Sequence, residues 1–154
     1  CLLSRGLGDV YKRQGLIRAD GTPKPGLEAY APHAADMGLM QWFHYQDPRL
    51  DDAVAWMKRL GVRHLRTGLS WADSFRPDAL GWFDRQMEAL ADFDTTVTFC
   101  FTPEHLGPGA HHTSPPHDPQ QFADFCAAMI ERYAPQRVKA MPEAVPTAIQ
   151  STLT

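Results

Sequence analysis

Along the chain the apolar positions change period several times, and each change marks an element. Residues 37–44 (MGLMQWFH) form a mostly apolar run of strand length. Asp47-Pro48 then sets a capping residue before a proline at the first helical position. Leu50, Ala53, Val54, Met57 and Leu60 return at helical spacing, and Gly61 stops the pattern. Residues 62–71 (VRHLRTGLSW) predict a second strand, and Phe83, Met87, Leu90 and Ala91 put one apolar stripe on a helix over about residues 82–92. Residues 95–101 (TVTFCF after Thr95) are rich in β-branched and aromatic side chains and predict a third strand. A long loop over 102–117 follows. Asp118-Pro119 repeats the cap-and-proline start, and Phe122, Phe125, Cys126, Met129, Ile130 and Tyr133 carry a third helix.

Strands separated by single helices imply parallel pairing through right-handed crossovers, because a parallel partner is reached only by a long connection. The class is therefore α/β. Two architectures fit the spacing, a β/α barrel and a doubly wound sheet. No Gly-rich phosphate loop follows the first strand, where His44-Tyr45-Gln46-Asp47 stands instead. Polar and aromatic residues gather at the carboxyl ends of all three strands, the face from which a barrel builds its active site. The expectation is an incomplete TIM-type barrel, the first three β/α units of eight, spanning residues 37–135.

The flanks read differently. Residues 1–14 (CLLSRGLGDVYKRQ) have neither helical nor strand period and resemble the translated adapter that recurs at the ends of assembled environmental reads, so they are set aside from fold reasoning. Residues 15–36 read as an N-terminal extension or loop, with Asp20-Gly21 marking a turn and a short hairpin or loop over residues 15–24. Residues 136–154, with two prolines and scattered small residues, read as a disordered or out-of-frame tail.

Composition narrows the partners. Of 154 residues, 44% are hydrophobic and 21% charged, enough to bury a core. The formal charge of -3 and the lack of a basic stripe point away from nucleic acid, and no apolar run approaches the roughly 18 residues of a membrane span. Cys1, Cys100 and Cys126 make no disulfide framework, which favours a reducing, cytoplasmic setting.

Candidate chemistry follows from the strand ends. Arg66 stands inside an otherwise apolar strand, and a buried guanidinium there demands a carboxylate or another acceptor. It would be a structural ion pair, a head reaching solvent, or a clamp on a catalytic carboxylate or substrate oxygen. Trp42 and Trp71 suit stacking on the apolar face of a sugar, or plain core packing. The loop after the third strand holds His105, His111, His112 and His117. A zinc site using His105 with His111 or His112 and Glu104 is one reading, although no H-E-x-x-H spacing supports it. Hydrogen bonds of His44, His105 or His112 with substrate hydroxyls, and a ligand hydroxyl donating to the Glu104 carboxylate, are the other. Asp73, Asp78 and Asp84 read as turn, cap and helix-start residues, and Ser70 and Ser114 lie in no nucleophile-elbow context. No cofactor is implied.

At these strand ends the sequence resembles a family. The runs AVAWMKRLGVRHLRTGLSWAD, TVTFCFTPEHLG and HHTSPPHDPQQFADFCAAMIERYAP resemble the N-terminal part of barrel glycoside hydrolases of the β-xylosidase and cellulase-like retaining clan. The likeness covers about residues 37–135. It implies that Arg66 contacts the nucleophilic carboxylate, and that Phe101-Thr102-Pro103-Glu104-His105 lines the sugar site. Residues 15–25 (GLIRADGTPKP) are similar to the closing segment of some glycosidase barrels. Retaining hydrolysis uses two carboxylates about 5 Å apart. The family carries them after its fourth and seventh strands, and Glu143, with no preceding Asn, matches neither. The resemblance thus implies an inactive fragment of a retaining glycoside hydrolase, a glycosidase acting on β-linked glycosides such as β-xylosides, whose catalytic glutamates are absent from this chain. A metal-dependent barrel hydrolase or isomerase and a non-catalytic carbohydrate-binding module are the alternatives.

Overall fold

The computed structural model describes residues 15–18, 20–109 and 113–138. It is a small α/β domain in which four helices accompany a three-stranded parallel sheet. In chain order the elements are α1 (Gly26–Tyr30), β1 (Leu39–Met40), α2 (Leu50–Arg59), β2 (His64–Ser70), α3 (Ala79–Ala89), β3 (Asp94–Cys100) and α4 (Pro119–Val138). Short 3-10 turns cover Ala31–His33, Ala72–Phe75 and Glu104–Leu106. The strands lie side by side in sequence order, with Leu39 opposite Leu65, Met40 opposite Arg66, and β2 paired with β3 from His64–Asp94 to Ser70–Cys100.

The helix boundaries have local causes. Before α2, the Asp47 carboxylate accepts the Arg49 backbone N–H at 3.1 Å, and before α4 the Asp118 carboxylate accepts that of Gln120 at 2.9 Å. At the other end of α2, Gly61 donates to the Lys58 carbonyl and Val62 to that of Met57 (3.0 and 3.1 Å), the paired bonds of a Schellman stop. Gly61 takes the φ of +71° that this stop requires.

Helix α3 begins earlier than its apolar stripe suggests, because the turn at Pro77-Asp78 starts it and Ala79 and Trp82 already face the core. Asp78 is the residue before the helix, as expected, with a φ of 53°. Asp84, expected at a helix start, lies in the middle of α3. Strand β1 is two residues long where eight were expected; one further bond, Gln41 N–H to the Arg66 carbonyl at 3.0 Å, extends the pairing before the chain turns over β2.

Residues 15–36 belong to the fold. Ile17 pairs with Pro23 in an isolated antiparallel bridge closed by a turn at Asp20-Gly21, and Ile17 and Ala34 are fully buried in the main core. The segment assigned to a chain-terminal adapter lies outside the described residues. Of the expected tail, 136–138 continue α4 and the remainder lies outside the described residues.

One layer of helices covers one face of the sheet. Odd-numbered residues of β2 and β3 (Leu65, Thr67, Leu69, Thr95, Val97, Phe99) point into it, against Met57, Phe83, Met87, Leu90, Phe125 and Met129. Each fully buried Leu, Met or Phe in this layer contributes about 1.5–3 kcal/mol. Gln86 on α3 is also fully buried. Its amide donates to the Gly68 carbonyl at 3.2 Å and to Thr67 Oγ1 at 3.4 Å, which fixes α3 against the middle of β2. Helices α3 and α4 are joined by Asp84. Its carboxylate receives Arg132 at 2.7 and 2.5 Å and the Tyr133 hydroxyl at 2.9 Å.

Even-numbered residues form the opposite face, on which no helix among the described residues packs. His64 and Arg66 of β2, Asp94 and Thr96 of β3 and Met40 of β1 are exposed on it, Thr98 and Cys100 are half-buried, and Gly68 and Ser70 are buried. No helix among the described residues is long and apolar enough to cross a membrane.

Candidate functional site

The strand parity decides which expected site residues meet. Arg66 occupies an even position, so it stands on the open face and is exposed rather than buried in an apolar strand. Its Nε donates to Thr98 Oγ1 across the sheet at 3.2 Å, a neutral acceptor in place of the carboxylate expected. The reason is that β2 alternates at its start, with His64 and Arg66 exposed and Leu65 and Thr67 buried, so that Leu65, Thr67 and Leu69 face the helices and Arg66 does not.

Trp42 lies on the same open face. Its indole covers Gly68 so closely that a Cβ there would stand 1.9 Å from the ring. Beyond Gly68 the indole meets Phe101, with ring centroids 5.0 Å apart and planes at 64°. Phe101 follows β3 with the parity of the helix side. Its φ of 68° turns the chain and brings the ring round to the open face. Three strands thus contribute to one contact: an indole from β1 and a phenyl from β3, meeting over the bare backbone of β2.

Trp71 goes the other way. It continues the odd parity of Leu65, Thr67 and Leu69, is 3% exposed, and packs on Phe122 and Phe125 with centroids 5.4 and 6.3 Å away. Of the two uses the sequence allows it, the structure shows core packing, and it shares no face with Trp42.

His44, Glu104 and His105 are exposed beyond the strand ends, while His112 and His111 lie outside the described residues. The loop that carries Glu104 and His105 is ordered by Thr102 Oγ1 donating to the Ser114 carbonyl at 2.6 Å and by His117 N–H donating to that of Leu106 at 2.8 Å. The turn after β2 is held in the same way. Asp73 N–H donates to Ser70 Oγ at 3.1 Å, Ser74 Oγ to the Trp71 carbonyl at 2.7 Å, and Arg76 pairs with Asp73 at 2.6 Å. The Arg76 guanidinium also lies over the Tyr45 ring, 5.2 Å from its centroid, and the Tyr45 hydroxyl donates to the Pro77 carbonyl. Phe75 projects from this turn and meets His105 with ring centroids 4.8 Å apart and planes at 85°.

Charge is placed sparingly here. Burial would raise the Asp47 carboxyl, but hydrogen bonds from the Arg49 side chain and backbone, with its charge, hold it below the usual range. Burial and the neighbouring Asp73 carboxylate push the Cys100 thiol up to about 11, so it is a protonated lining residue at neutral pH. Among the described residues no three His, Cys, Asp or Glu side chains come together as a metal ion would require.

Hollows open among the described residues. One of about 310 Å³ is apolar and lies on the helix side between Val97, Phe99, Met129 and Tyr133, away from the strand ends. Another, about 290 Å³, is polar and is lined by Gln46, Asp47, Asp78, Trp82 and Arg85.

Sequence reasoning missed Gly68, Phe75, Tyr45 and Arg76, and it named Phe101 only as part of the segment after the third strand. Gly68 carried a signal, since a glycine inside a strand marks the close approach of another group. Phe75 carried none. No protein-family model matches the chain, and neither does any curated protein or solved structure.

Proposed function

We propose that the chain is the opening part of a β/α barrel that hydrolyses β-linked glycosides, with β-xylosides the first candidates. The observation that carries this reading is the placement of Trp42 and His44 after β1 and of Glu104 and His105 after β3, on the carboxyl side of one parallel sheet, with Arg66 of β2 on the same sheet face as Trp42. The half-buried indole of Trp42 offers an apolar surface to a sugar ring, held in place by Gly68 beneath it and Phe101 beside it. Arg66 uses one N–H on Thr98 and keeps its terminal N–H groups for a carboxylate. The imidazoles of His44 and His105 suit sugar hydroxyls. Trp71 is removed from the sugar-contacting set and acts from behind, anchoring the turn that follows β2.

In such a site one carboxylate attacks the anomeric carbon while the second protonates the leaving oxygen, and the roles reverse as water releases the sugar. The resemblance places both glutamates on strands beyond the three described. On this reading the chain binds sugar without turning it over. The test is a full-length parent protein assayed on aryl β-xylosides and β-glucosides, with the first-formed anomer followed by NMR. Turnover with retention is expected. Absence of turnover on both, or inversion, would overturn the proposal.

A further inference from the structure

Phe75 is the one aromatic residue among the described side chains that are both large and strongly exposed, with 56% of its surface open. Leaving it so forgoes a burial that folding ordinarily exploits. Its mount is rigid, because the turn Ala72–Phe75 is fixed by the Ser70, Ser74 and Asp73–Arg76 bonds. Its contact comes from another strand end: His105, from the turn after β3, meets it edge to face at 4.8 Å. In that arrangement one ring's edge meets one face of the other, so Phe75 keeps at least one face clear of His105. The His105 imidazole makes no hydrogen bond among the described residues, so its nitrogens are open to hydroxyls. A flat apolar ring beside a free hydrogen-bonding group matches one class of small molecule, a pyranose, which has an apolar C–H face and a rim of hydroxyls.

We propose that Phe75 and His105 form an aromatic platform for a sugar ring at the carboxyl ends of β2 and β3, a second binding position in addition to Trp42. The inference rests on the carbohydrate reading above and specifies where a further sugar unit docks. Phe75 receives the C–H face and His105 bonds a hydroxyl.

The test is an NMR titration of the 154-residue chain with xylobiose and, in parallel, cellobiose. The chain is compared with the variants Phe75→Ala, Phe75→Trp, Phe75→Leu and, as a control, Leu80→Ala, which removes an exposed side chain from α3. We expect Phe75→Ala to weaken binding of the better disaccharide at least tenfold, Phe75→Trp to bind within about twofold of the parent chain, and Leu80→Ala to change nothing. Thermal melts of the variants check that the fold is kept, and Phe75→Leu, which keeps apolar bulk without a flat ring, decides the matter if Phe75→Ala melts early. Undiminished binding by Phe75→Ala or, in that case, by Phe75→Leu overturns the platform and leaves the carbohydrate reading standing. If the parent chain binds neither disaccharide, both fall together.

Discussion

The contact of Trp42 with Gly68 yields the sharpest quantitative test. In Gly68→Ala the new methyl would stand 1.9, 2.5 and 2.9 Å from three indole carbons, where ordinary contact begins near 3.5 Å. The indole cannot stay and must swing off the sheet. Three contributions follow. The edge contact with Phe101 is lost, about 0.5–1.5 kcal/mol. The burial of one face of a half-buried indole is lost, about 1–1.5 kcal/mol, or half of what full burial gives. Against these, alanine restricts the unfolded chain and suits a strand better than glycine, a gain of about 0.5–1 kcal/mol. The net is a destabilisation of about 1–2 kcal/mol, a fall in Tm of about 2–8 °C for a chain of this size.

A double-mutant cycle with urea melts isolates the cause. In a Trp42→Ala background the same glycine substitution meets no indole, so its sign should reverse to a stabilisation of about 0.5 kcal/mol. Indole emission should also shift to the red in Gly68→Ala alone, as Trp42 moves into water. If Gly68→Ala destabilises the Trp42→Ala protein as much as the parent, the cost lies in the β2 backbone and the account of the site given above is wrong.

Other changes follow from single features. Gly61→Ala adds a methyl with nothing within 4 Å, so its cost is the left-handed backbone alone, about 1–2 kcal/mol by urea melt, and Gly61→Asn should recover part of it. Asp84 is held below its ordinary value of 3.8 by the Arg132 hydrogen bonds, helped by the Tyr133 hydroxyl. Its stabilisation is therefore complete above that value and is lost as pH falls through the lowered one. Melts taken from pH 6 to 2 should show wild type falling toward Asp84→Asn at the acid end, with the variant flatter across that window; a constant gap at every pH would refute the ion pair's role. Cys100, raised to about 11, should label with iodoacetamide far more slowly in the native protein at pH 8 than in urea, as read by peptide mass.

What the sequence disclosed, and what it hid, divides along one physical line. Signals confined to a few consecutive residues were readable: Asp47-Pro48 and Asp118-Pro119 before their helices, Gly61 after α2, the β-branched run of β3. Pairings across the chain were not. Asp84 lies 48 residues from Arg132, and nothing local distinguishes a carboxylate that joins two helices from one that caps a single helix. Residues 25–36 gave no period, because short helical turns are too brief for one to show, yet the neighbouring Ile17 and Ala34 are fully buried.

The candidate site shows the same division in its sharpest form. A parallel sheet brings all strand ends to one side, so Trp42, Trp71, Glu104 and His105 follow their strands there, while Arg66, the third of the seven residues of β2, stands nearer the other end. Which face each would take was also written in the sequence, as parity. Counting by two from Leu65 sends Trp71 into the helix layer, and counting by two from Arg66 sends Gly68 to the open face. Register was the missing quantity. Only the pairing of Met40 with Arg66 places Trp42 on the Gly68 side, and only the positive φ of Phe101 carries its ring against the parity of its strand. A one-residue slip of β1 would send Trp42 to the opposite face and leave Gly68 bare. The site therefore depends on the pairing of a two-residue strand as much as on its own side chains, and a substitution that slips β1, such as proline at Leu39 or Met40, should abolish the proposed sugar binding even though it leaves every candidate contact residue in place.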